Sequence, residues 1–146
     1  MAATSNAKAQ VTIARSAEFR KLQDLEFGAL TIIGAGTAVV NPETDALTTT
    51  GGVTIAGGRA YAALFDAVSP SRSVVVIKAP NKATLLTRLG GTETMTLDTW
   101  TISGNPRRVV AAQQAYSFKI GGTLHVNANQ AEGTYEGTFA VEVQYQ

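Results

Sequence analysis

The chain has no cysteine and a single histidine, His125, so it can form neither a disulfide nor a thiolate metal site, and it has no second imidazole for a histidine-based centre. Charged residues make up only 16% of the 146 residues, well below the roughly 25% of an average soluble protein. The balance leaves a formal net charge of +1. That excludes the broad basic field that nucleic-acid binding needs, and the one adjacent basic pair, Arg107 and Arg108, follows Asn105-Pro106 in an apparent loop. No uninterrupted apolar run approaches the roughly 18 residues of a membrane-spanning helix, so no membrane span is expected. Long amphipathic helices are missing too. Ser16–Gln23 and Arg108–Ala115 each pattern as a short helical turn at most.

What is present suits sheets. Apolar residues reach 45%, and the polar surface is threonine, asparagine, glutamine and glycine, a mixture that fits pleated strands and tight turns. One domain is enough for this length. Glycine pairs at 51–52, 57–58, 90–91 and 121–122 punctuate short apolar runs, and Asn41-Pro42 forces a further turn. Short strands at such spacing predict an all-β fold of immunoglobulin-like sandwich type. Between Met95/Leu97 and Trp100/Ile102 the apolar phase slips by one residue, which predicts a bulge or strand switch near Asp98-Thr99.

Chemistry-bearing constellations are few. Ile32–Val39 contains Gly34-Ala35-Gly36, which has part of a dinucleotide fingerprint, but Val39 stands where the third glycine belongs and Pro42 interrupts the following segment. A glycine-rich turn between strands is the better reading. The carboxylate pairs Asp24/Glu26, Glu43/Asp45 and Glu132/Glu136 fall in turns or on polar faces, where solvated charge is the default. No catalytic residue, cofactor or metal is assigned, although Glu43 and Asp45 with nearby carbonyls leave a calcium site open. The threonine rows 92/94/96 and 48–50 read as the solvent face of sheets. Tyr61, Trp100 and Tyr135 are candidate exposed aromatics.

The two ends alternate most cleanly. Ala7, Ala9, Val11 and Ile13 lie on one face of an extended segment, and Phe139, Val141, Val143 and Tyr145 on one face of the last strand. This C-terminal run resembles the final strand of chaperone–usher fimbrial subunits, and Ala7, Ala9, Val11 and Ile13 match the alternating N-terminal donor segment of that family. Leu25-Glu26-Phe27-Gly28 and the stretch from Gly121 to Tyr135 resemble an uncharacterised family of secreted bacterial domains often placed near such subunits. The paired cysteines of the best-known fimbrial subunits are absent.

The resemblance implies a division into residues 1–16, a candidate donor strand, and 17–146, a pilin-like sandwich completed by a donated strand. It also implies a homopolymer, a periplasmic chaperone and an outer-membrane usher as partners, and secretion through the periplasm to a cell-surface filament. Ala3-Thr4-Ser5-Asn6 behind Met1-Ala2 reads as the tail of a signal-peptidase site or, alternatively, as the start of a chain with an initiator methionine. Two alternatives remain beside the filament. The N-terminal alternation also fits an ordinary first strand paired within its own sheet, and the threonine faces and aromatics also fit a monomeric secreted module binding carbohydrate or matrix.

Overall fold

The computed structural model describes residues 3–13 and 19–146. All regular structure among them is β, in eleven strands: β1 (Ala3–Ile13), β2 (Phe19–Gln23), β3 (Leu25–Val40), β4 (Leu47–Gly57), β5 (Ala63–Val68), β6 (Ser73–Lys78), β7 (Thr84–Arg88), β8 (Thr94–Ile102), β9 (Arg107–Val110), β10 (Ala115–Val126) and β11 (Gly133–Tyr145). The all-β expectation holds. The two segments read as helical turns do not form helix: Phe19–Gln23 is β2, residues 16–18 lie outside the described residues, and Arg107–Val110 is β9, followed by a turn closed by the Gln114 amide on the Ala111 carbonyl.

The ladders close on themselves. Following hydrogen-bonded neighbours from β1 leads through β3, β10, β8, β7 and β11 back to β1, a ring of six strands. Three wings extend it: β4 beside β3, β5 and β2 beside β10, and β6 and β9 beside the end of β11. Closure is possible because the long strands serve two neighbours in turn. β3 pairs with β1 through Leu25–Ile32 and with β10 through Gly36–Val39. β10 pairs with β5 through Ala115–Ile120 and with β3 through Thr123–Val126.

Those long strands must bend, and glycines sit at the bends. Gly51-Gly52, expected between strands, lies inside β4 against the Gly34–Gly36 corner of β3, where the register skips. A Cβ on Gly36 would run into the Thr50 carbonyl oxygen, and one on Gly52 into the backbone of Gly34. Gly121-Gly122 likewise lies within β10, where Gly121 crosses the Val40 carbonyl too closely for any side chain. Glycine pairs here mark close backbone approach as often as turns.

The phase slip in β8 does have a bulge: Thr123 pairs with Asp98 and Gly121 with Thr101, so Thr99 and Trp100 oppose Gly122 alone, and Thr99 takes φ 51°. Inward residues from every strand of the ring join one core, with Phe65 and Phe118 stacked at 4.9 Å and Phe19 edge-on to Phe65 at 6.0 Å.

Gly36→Ala should therefore destabilise the fold by roughly 2–4 kcal/mol, because backbone must move to admit the methyl group. Gly90→Ala, with open space around it but φ 77°, should cost only about 1–2 kcal/mol. Urea unfolding of both variants tests the ranking, and equal midpoints would refute the close-approach explanation.

Candidate functional site

β1 lies in a slot between β3 and β11. Ser5–Ile13 runs parallel to Gly133–Val141 of β11, and Ala3–Ala9 runs antiparallel to Leu25–Ile32 of β3. The four residues singled out at the N-terminal end thus meet the C-terminal strand directly: Ala7 opposes Tyr135, Ala9 opposes Gly137, Val11 opposes Phe139 and Ile13 opposes Val141. The side chains of Val11 and Ile13 lie outside the described residues. Val143 and Tyr145 are beyond β1 and pair instead with Ile77 and Val75 of β6. In the single chain, β1 closes its own ring.

What holds the segment Ser5–Ala9 is mostly backbone. Its described inward side chains, Ser5, Ala7 and Ala9, are buried but small, and each methyl group removed from water contributes only about 0.8 kcal/mol. Ladder bonds on two sides, each contributing about 0.5–1.5 kcal/mol net, outweigh them. The floor explains the small residues. Gly137 has no room for a Cβ, which would lie 2.6 Å from the Leu85 carbonyl oxygen and 2.7 Å from Leu86 Cδ2, and Tyr135 fills the space opposite Ala7.

Tyr135, expected on the surface, is wholly buried. Its hydroxyl donates to the Ala131 carbonyl at 2.6 Å and accepts from Gln130 Nε2 at 3.0 Å, while the same amide donates to the Thr94 carbonyl at 3.1 Å. Ser5 Oγ reaches the Ala131 carbonyl too, at 3.3 Å. The Asn127–Ala131 turn therefore plugs the barrel end where β1 enters. No local sequence signal marks this, because a tyrosine with a hydroxyl acceptor five or fewer residues away reads the same whether it faces water or core.

The outward side of the slot is electrostatic. Lys8 stands in register with Glu26 of β3 on one side and Glu136 of β11 on the other, and its ammonium lies 3.6 Å from Asp24 Oδ2. Lys21 also pairs with Asp24, at 2.7 Å. Three carboxylates thus rim the slot around the one cation that β1 brings to it. The Leu25-Glu26-Phe27-Gly28 motif builds this rim: Leu25 and Phe27 anchor in the core, and Gly28 at φ 73° sits at the bulge that shifts register between Ala7 and Lys8. Burial pushes the Glu26 carboxyl above its ordinary range, only partly offset by the Gly28 amide and by Lys8.

Other candidate residues are occupied structurally. Asp45 pairs with Lys119 at 3.0 Å and accepts from the Ala62 amide, and Glu43 accepts from the Gly104 amide. Among the described residues no group of three or more histidine or acidic side chains could hold a metal ion. His125 is exposed, with Nε2 2.7 Å from Asp98 Oδ1. Tyr61 bridges backbone-to-backbone with Glu26. Tyr116 and Tyr145 share a hydroxyl contact at 2.8 Å that ties the end of β11 to β10, and burial raises the Tyr116 phenol.

Compared with known proteins, residues 17–145 match the model of a family described as a domain of unknown function, DUF4402. No curated protein and no solved structure matches the chain. The matched region contains β2 to β11 and leaves out β1.

Because the Glu26 pKa is raised by folding, its contribution favours the fold fully below the unfolded value, roughly 4.3, and is lost as pH rises through the folded value. Glu26→Gln keeps an acceptor for the Gly28 amide and should stabilise the protein at pH 7, by less than about 1 kcal/mol given its half-exposed setting. The gain should vanish near pH 3. Urea midpoints at the two pH values test this; a loss at pH 7 would mean that attraction to Lys8 outweighs burial.

Proposed function

The chain belongs to the DUF4402 family, and we propose that it is a structural subunit of an extracellular bacterial filament, polymerised when β1 of one copy takes the place of β1 in the next. The observation behind this reading is the slot itself. β1 lies outside the family region, is laddered on both sides, and its described inward side chains are small. On this reading the six-stranded ring is an immunoglobulin-like sandwich whose last edge is supplied by β1. Removing β1 would expose unpaired backbone on β3 and β11 and a narrow apolar groove, a standing template for strand addition.

Exchange between identical copies replaces each contact by the same contact, so the intramolecular form wins by effective concentration unless the slot is kept open. That is the role a periplasmic chaperone would fill, with an outer-membrane usher delivering the open subunit to a growing end. Lys8 supplies register: slipping β1 by two residues removes the cation from between Glu26 and Glu136 and, in one direction, brings Val11 opposite Gly137. Secretion through the periplasm and a place at the cell surface belong to the same proposal.

Deletion of residues 1–13 should abolish filaments on the expressing cell and the detergent-resistant ladder of oligomers on gels, and Lys8→Glu should reduce both. Filaments at unchanged yield after the deletion would overturn the proposal.

A further inference from the structure

The bulge in β8 builds a second feature, apart from the β1 slot. Asp98, Thr99 and Trp100 form one wall of a cleft of about 270 Å³ whose other wall is the Ala79–Ala83 loop. Thr99, at φ 51°, is the only β-branched residue among the described non-glycine residues of positive φ. A branched side chain tolerates that conformation poorly, and such strain persists where the surroundings impose it. Its effect here is to set Asp98 and Trp100 at the same opening.

Each wall is held in place. Trp100 packs against Phe139, with ring centroids 4.5 Å apart, and its indole Nε1 donates to the Lys82 carbonyl at 3.1 Å, which fastens the loop to the bulge. The Asp98 carboxylate is oriented through one oxygen: Oδ1 accepts from Thr99 Oγ1 at 3.1 Å and contacts His125 Nε2 at 2.7 Å. Its Oδ2 and the Asn81 amide make no hydrogen bond within the described residues, and Asn81 is exposed on the loop. An indole, an oriented carboxylate with a spare oxygen, and a spare amide therefore belong to residues that line one small opening.

We propose that this cleft binds a single pyranose ring, stacked by its C–H face on Trp100 with neighbouring hydroxyls bonded to Asp98 Oδ2 and the Asn81 amide. The chemistry selects a saccharide because the lining pairs an aromatic surface with a hydroxyl acceptor and an amide that both donates and accepts. The volume of about 270 Å³ lies just below the range of ligand pockets, roughly 300 to 1,000 Å³, so it holds one ring at most and not an enclosed chain. A larger groove beside Phe19, Ala67, Val68 and Ala115 suits a sugar less well: its polar groups, Arg20 and Asp66, are already closed on each other at 2.7 Å.

Glucose, galactose, mannose and N-acetylglucosamine are each titrated into the nitrogen-labelled full chain while amide and indole resonances are followed. At least one sugar should give saturable shifts at Asn81, Asp98, Thr99 and the Trp100 indole. Asn81→Ala, on an exposed loop position, and Asp98→Asn should each weaken that binding roughly tenfold. Absence of saturable shifts with all four sugars, or shifts that persist unchanged in both variants, overturns the proposal.

Discussion

The closure of the ring rests on backbone pairing of β1 with two strands at once. Nine residues of β11 and seven of β3 find partners there, and without them both strands would present open edges to water or to another chain. Among the outer edges, β4 is eleven residues long and carries no charge, while the other two are guarded differently. β2 is five residues long and carries Arg20 and Lys21, and β9 is four long and begins with Arg107 and Arg108. Short, charged edges resist pairing with foreign strands. The edges beside β1 are long and apolar on their inner face, and β1 is the strand that covers them.

Size and charge divide the work within that slot. The ladder holds β1 on both sides and is indifferent to sequence, since backbone amides look alike in any extended peptide. Selectivity must then come from side chains. On the inner face the described side chains that meet Tyr135 and Gly137, Ala7 and Ala9, are no larger than a methyl group. On the outer face it comes from Lys8 among Asp24, Glu26 and Glu136. A strand with a different pattern would gain the same hydrogen bonds while leaving Glu26 and Glu136 without the cation that stands between them.

Legibility in the sequence followed the range of the interactions. The bulge at Asp98-Thr99 was readable because a phase slip in alternation is local, and so was the inward alternation of Phe139, Val141 and Val143. The character of glycine pairs was not: Gly51-Gly52 and Gly121-Gly122 pattern as turns, yet they permit backbone crossings with Gly34 and Val40, far away along the chain. Ring closure was equally hidden. It depends on β3 and β10 each serving two partners in turn along one edge, and on a parallel pairing between opposite ends of the chain that alternation alone cannot orient. Leu22 and Ile33 show the same limit, since both join apolar runs but are 50% and 71% exposed.

Position in the ring explains why the two candidate sites differ in kind. β1 meets its neighbours through main-chain groups, so the site is defined by an absence of bulk and a single charge. The cleft at the β8 bulge is defined by specific side chains whose orientation depends on a strained residue. Phe139 links them structurally, because it opposes Val11 in the β1 ladder and also packs against Trp100. A change in how β11 is paired would therefore be felt at the indole through one shared side chain, and closely packed interiors transmit such shifts because they have little free volume to absorb them.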